Sequence, residues 1–242
     1  MRLLLIVVLF SASASAANFE TRNGHIMSRS QIENFGKARG AASDSPPRLL
    51  KPLAPDLIKD FEGWEPKAYN DPLGYCTIGY GHLLAMKPCQ DVDLVAFGNR
   101  MTPPIDFAGQ LTLAEGNALL ELDTVPVRRA VQSMVSVNLT EWQFGALSSF
   151  IFNVGESKFR NSTLLRLLNK NQHELAANEF QRWVLGDGKP LSGLVARRSC
   201  EAAMFRNELK PAADGGFRRS SCVARGAAPL AGPLIDIYKG EP

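Results

Sequence analysis

The 242-residue chain has no CxxC pair, only three histidines, and no long apolar run after its first ten residues. Each gap removes a class of protein. Without cysteines at zinc-finger spacing, and with only His82 near Cys76 and Cys89, a zinc site has little support and no metal is expected. Without a later stretch of about 17–25 apolar residues, the body of the chain should not span a membrane. Twenty-seven basic residues against 24 acidic ones leave a formal charge of +3, too even a balance to argue for nucleic acid. What remains, 45% apolar and 21% charged, suits a globular protein with one sizeable core.

The first residues carry a recognisable pattern. Met1-Arg2 leads into the apolar run Leu3–Phe10 and then "SASASAA", with small residues at Ala14 and Ala16. A positive charge, a short apolar run and a small-residue cleavage site make a secretory signal peptide, so residues 1–16 are expected to be removed and the protein to be secreted or periplasmic. An uncleaved anchor is the rival reading, but Ser11, Ser13 and Ser15 interrupt the run. Cys76, Cys89, Cys200 and Cys222 suit an oxidising compartment. They allow three pairings, and the short loops favour Cys76 with Cys89 and Cys200 with Cys222.

Residues 17–53 read as a linker, rich in Ser, Asn, Arg and Gly and containing "SDSPPR". From Pro55, helical spacing of Leu57, Ile58 and Phe61 predicts a helix that ends on Glu62-Gly63. The next stretch is broken by Pro66, Asp71-Pro72, Gly74, Gly79 and Gly81, with runs near 67–70 and 75–80 that predict a hairpin or small sheet. Thr112-x-x-Glu115, Thr140-x-x-Gln143 and Asn171-x-x-Glu174 each resemble a capping box opening a helix. Leu147, Ile151 and Val154 share a face that Gly155 ends, Ala176, Phe180 and Trp183 repeat the spacing, and Leu194–Leu209 reads as a last helix. Trp183 reads as core. The segment 185–193, "LGDGKPLSG", looks like an added hairpin, and residues 211–242 return to Gly, Pro and Ala as a C-terminal extension. The expected fold is α+β: a small sheet lobe packed on a mostly helical lobe, with a ligand cleft between them.

The chemistry concentrates in "FEGWEPKAYNDPLGYCTIGYGH", residues 61–82. Glu62 and Asp71 stand nine apart and Thr77 follows six later. A helix end followed by a hairpin can bring two carboxylates to one cleft, as acid–base cleavage of a glycosidic bond requires. Spacing alone is weak, because such residues near turns are ordinarily solvated or capping. Thr77 by itself reads as a strand residue. Cys76 invites a nucleophile reading, yet no oriented base accompanies it.

The whole stretch is more specific than the pair. "EG", the Asp that follows and "GYCTIGYGHLL" resemble the signature of the phage-type lysozymes, the muramidases of glycoside hydrolase family 24. The likeness continues in "FNVG" at 152–155, "NSTLLRLLN" at 161–169, "RWV" at 182–184 and "GLVARR" at 193–198, and so covers about residues 54–210 in order. It implies a lysozyme-like catalytic domain that cleaves peptidoglycan by hydrolysis with inversion, as a monomer and without a cofactor. Glu62 would be the general acid, with Asp71 and Thr77 positioning the attacking water. Gly81, Leu83, Phe152 and Ser162 match positions lining the saccharide cleft, though Phe152 reads equally well as core. His82 would be buried and bonded to a carboxylate that steadies the turn. Arg197, with Arg198 beside it, matches an arginine that pairs with the catalytic glutamate; the alternative is a solvated helix face with Arg197 four before Glu201. An ion pair favours the charged Glu62 and burial the neutral one, and sequence does not rank them. The rivals are a lytic transglycosylase, which needs one Glu but no water-activating Asp, and a non-catalytic wall-binding protein of the same fold.

Overall fold

The computed structural model describes residues 47–223 and 232–241. The expected signal peptide and residues 17–46 of the linker-like segment lie outside the described residues. At the start of the described chain, Arg48 donates to the Leu139 carbonyl, pairs with Glu141 at 2.8 Å and lies over the Phe144 ring. Helix α1 (Leu53–Glu62) follows. Leu57, Ile58 and Phe61 are all buried, as their spacing requires, and Gly63 at φ 78° ends the helix by donating to Lys59 O.

Strands β1 (Glu65–Asn70), β2 (Cys76–Gly79) and β3 (His82–Ala85) then form an antiparallel sheet in sequence order. The third strand goes beyond the two runs expected. Gly79 (φ 68°) and Gly81 (φ 82°) take left-handed conformations, so Ile78 comes to pair with His82. This short strand, "HLLA", buries its two central residues and so lacks the alternation that would mark it in advance. Cys89 opens a short 3-10 turn and is bonded to Cys76, closing a separation of 13 residues. Helix α2 (Leu94–Gly98) completes the small lobe, whose core is Cys76, Ile78, Leu84, Ile105, Phe107, Leu111 and Leu119.

The long helix α3 (Leu113–Met134) and the central α4 (Glu141–Val154) each open on the expected capping box, at Thr112 and Thr140. Gly155 at φ 89° ends α4. Short helices α5 (Glu156–Arg160), α6 (Thr163–Leu168) and α7 (His173–Glu179) follow. Asn171 does not open α7. It sits at φ 59°, with its N–H bonded to Leu168 O and the next N–H to Leu167 O, so it closes α6 in the left-handed manner of a helix stop. Its side chain accepts instead from His173, and Gln172 takes the N-cap position without a side-chain bond. Trp183 is fully buried, but α7 stops at Glu179 and a 3-10 turn carries the chain to it.

Strands β4 (Leu185–Gly186) and β5 (Lys189–Pro190) make the added hairpin around Asp187 and Gly188, both at positive φ. Helix α8 (Ser192–Phe205) ends four residues earlier than the apolar pattern suggests. Asn207, at φ 57°, closes it, with Glu208 N–H bonded to Ala203 O, and Leu209 is buried beyond the helix. A further helix, α9 (Ser220–Val223), is tied to α8 by the Cys200–Cys222 disulfide. Among residues 232–241, Ile235 and Ile237 are buried in the main core, and Ile237 N–H donates to Leu185 O. Late sequence thus packs against the hairpin and helices. Among the described residues, no helix is long and apolar enough to cross a membrane.

Candidate active site

Glu62 is the last residue of α1, where the helix meets the sheet. Its side chain is buried, and Oε1 accepts from Arg197 Nη1 at 2.7 Å. Arg197 stands in the second turn of α8, so an ion pair links α1 and α8. Of the two adjacent arginines, Arg197 makes this contact, while Arg198 turns to Glu201 and Asn153. Neither arginine lies on a solvated face. Arg197 Nε also donates to Glu201 Oε1 at 3.1 Å, and Nη2 to the Ser149 carbonyl. Burial disfavours the charged guanidinium, but Glu62 and Glu201 outweigh it, so the Arg197 pKa is raised.

Asp71 is buried in the turn between β1 and β2. Its Oδ1 accepts the Leu73 and Tyr75 amides at 2.9 and 2.8 Å, which fixes the carboxyl group in the turn. Thr77 is fully buried on β2 and donates to Tyr75 O over 3.3 Å. Across the sheet Thr77 pairs with Tyr69 on one side and Leu83 on the other, and directly opposed residues share a face. The Tyr69 hydroxyl therefore reports on the site. Its pKa is pushed up to about 12, first by burial and then by the charges of Glu62, Asp71 and Glu65. Both carboxylates thus act on one phenol that shares a sheet face with Thr77.

The remaining expected residues fall in different places. Gly81 forms the β2–β3 turn and Leu83 is buried on β3. Phe152 packs with Ile58 and Leu120, against Tyr80. Ser162 is fully buried as the N-cap of α6, accepting from Leu165 N and donating to Phe159 O. His82 Nδ1–H donates to both oxygens of Asp123 on α3 at 3.0 Å, joining sheet to helix. Burial works against its charge, but Asp123 prevails and the His82 pKa is raised. Cys76 is held in its disulfide. No group of three or more metal-binding side chains occurs among the described residues.

Sequence reasoning did not reach Tyr69, Asp123, Ser149 or Asn153, since nothing local marks them. Glu201 did carry a signal: it stands four after Arg197 and three after Arg198, the spacings at which helical side chains meet. The spacing was legible; its burial was not.

A lysozyme-like α+β fold, with a buried carboxylate where sheet meets helices, defines a glycoside hydrolase of the lysozyme type. The family model described as phage lysozyme matches residues 59–201, and the chain belongs to that family. It is 33% identical over 155 residues to an endolysin of Acyrthosiphon pisum secondary endosymbiont phage 1, covering 62% of this chain and 93% of the relative. A P22 lysozyme mutant structure superposes with TM-score 0.55 and 31% identity over 66% of this chain and 99% of that one. The muramidase domain of SpmX from Asticaccaulis excentricus does so with TM-score 0.52 and 31% identity, covering 67% and 100%.

Proposed function

We propose that this chain hydrolyses the β-1,4 bond between N-acetylmuramic acid and N-acetylglucosamine in peptidoglycan, with inversion. The observation that carries the reading is the buried Glu62, fixed by Arg197 and sharing the surroundings of Tyr69 with Asp71. Likeness to the muramidase domain of SpmX supports the choice of bond.

In this mechanism Glu62 gives its proton to the glycosidic oxygen as the C–O bond breaks, and positive charge grows on the sugar ring. Asp71, a fixed carboxylate, stabilises that charge from the opposite face and takes a proton from the attacking water. Thr77 holds the water, since a hydroxyl both donates and accepts. The cycle closes when Asp71 returns its proton to solvent and Glu62 regains one. A lytic transglycosylase would have no use for the Asp71–Thr77 pair.

The same proposal places the protein outside the cytoplasm. The signal-like residues 1–16 and two disulfides support export. N-terminal sequencing of protein recovered from periplasm or medium tests it, with processing after Ala16 expected. For the chemistry, purified peptidoglycan should lose turbidity with the wild-type protein, whereas Glu62→Gln should be slower by at least about 10²-fold while still sedimenting with the wall. Wild-type clearing by Glu62→Gln contradicts the assignment.

A further inference from the structure

Arg197 is shared. One guanidinium edge holds Glu62 at 2.7 Å, and Nε holds Glu201 at 3.1 Å. Glu201 is itself completely buried on α8, and its second oxygen accepts from Arg198 at 2.7 Å. Ser149 Oγ donates to the first oxygen at 2.6 Å, and Arg198 reaches on to Asn153. Two carboxyl groups and two guanidiniums thus form one buried chain that ends on the acid.

We propose that Glu201 is a positioning residue for the reaction: by drawing part of the Arg197 charge away from Glu62, it keeps the acid protonated at working pH. The inference rests on the reading of Glu62 as general acid. A buried arginine that belonged to Glu62 alone would hold it as a carboxylate, which is the wrong form for an acid. Burial favours the protonated form, Arg197 opposes it, and Glu201 moderates the opposition.

Other charges around Glu62 do not supply this balance. Asp71 and Glu65 lie on the sheet side, and Tyr69 stays a neutral phenol well above neutral pH. Helix α4 contributes only the uncharged Ser149 and Asn153 to the network. Arg219 lies over the Phe61 ring and is engaged by Asp60. Among the described residues of the network, Arg198 is the remaining cation. Its pKa is pushed down to about 10, chiefly by burial, with Glu201 opposing the fall and Arg197 adding to it. The Glu201 charge is therefore what two neighbouring buried cations lean on.

Two variants give opposite signs. Glu201→Gln keeps the shape and removes the charge, leaving Arg197 to Glu62. Ser149→Ala removes the competing donor to Glu201 Oε1 and a long 3.5 Å contact from Arg197 Nη2, while the Ser149 carbonyl that Arg197 also uses stays, so Arg197 is drawn further toward Glu201. The test is kcat/KM against pH on solubilised peptidoglycan for wild type and both variants, with melting temperatures. The alkaline limb should move down by about one pH unit in Glu201→Gln and up by less in Ser149→Ala, with KM little changed. Limbs that stay in place, or losses equal at every pH with a lowered melting temperature, would make Glu201 merely structural and overturn the proposal. Should Glu201→Gln not fold, the Ser149→Ala profile decides alone: an upward shift supports the proposal, and none refutes it. A wild-type protein without cleavage would instead overturn the hydrolase reading, a result distinguishable because it precedes any variant.

Discussion

Arg197 Nη1 lies 2.7 Å from Glu62 Oε1 across 135 residues of sequence, with both side chains almost wholly out of water. Truncating Arg197 to Ala would take one of its two guanidinium partners from the buried Glu201 carboxylate and the Arg197 contact from Glu62 in a dry interior. Breaking a buried pair from one side typically costs about 3–5 kcal/mol, so Arg197→Ala should be among the most destabilising single changes. Chemical denaturation checks it. A loss below about 1 kcal/mol would mean that the pair is solvated in solution.

The His82–Asp123 pair makes stability depend on pH with a definite sign. Because the folded His82 pKa is raised, its contribution is fully present below the unfolded value of about 6.5 and is lost as pH rises through the folded value. The stability gap between wild type and Asp123→Asn should therefore be wide near pH 6 and narrow on the alkaline side. NMR titration should find His82 above 6.5 in wild type and lower in the variant. A gap independent of pH contradicts the pairing.

The Cys76–Cys89 bond pins β2, which carries Thr77, to the turn after β3. A loop of about 15 residues is worth roughly 3 kcal/mol in the chain-entropy model, so the Cys76→Ser, Cys89→Ser double variant should melt lower. Hydrogen exchange should show the loosening first at residues 76–79. An unchanged melting temperature would exclude that role.

Gly116 on α3 should resist the substitution that helix propensity favours. A Cβ there would lie 2.2 Å from Trp64, whose ring packs on Tyr80 at 4.8 Å beside the glycine turn. Ala gains up to about 1 kcal/mol as a helix former, but overpacking costs about 1–3 kcal/mol. Gly116→Ala should thus be neutral to destabilising, and Trp64→Phe should recover stability in the double variant. Calorimetry of the four proteins measures the coupling.

Local features were legible because their determinants are local. Glu62 at a helix end follows from the Leu57-Ile58-Phe61 spacing and Gly63, and the Thr112 and Thr140 caps need only four residues each. Asn171 misled because a residue that can cap a helix start also tolerates the left-handed helix stop, and Glu174 three later satisfied the pattern by coincidence. Asp123, Ser149 and Asn153 were invisible for a different reason: their partners lie 41, 52 and 45 residues away. The burial of Ile235 and Ile237 likewise depends on strand-like pairing to Leu185, which a Gly- and Pro-rich stretch does not announce. Ser162 also caps α6 with its hydroxyl, a local role that the resemblance did not carry.

The most direct test of the account is digestion of purified peptidoglycan in ¹⁸O-labelled water, with mass spectra of the fragments and NMR recorded before mutarotation. If Asp71 and Thr77 hold the attacking water opposite Glu62, each new reducing N-acetylmuramic acid carries one labelled oxygen and appears first as the α anomer. Unlabelled anhydro ends, or a labelled product that appears first as the β anomer, contradict it.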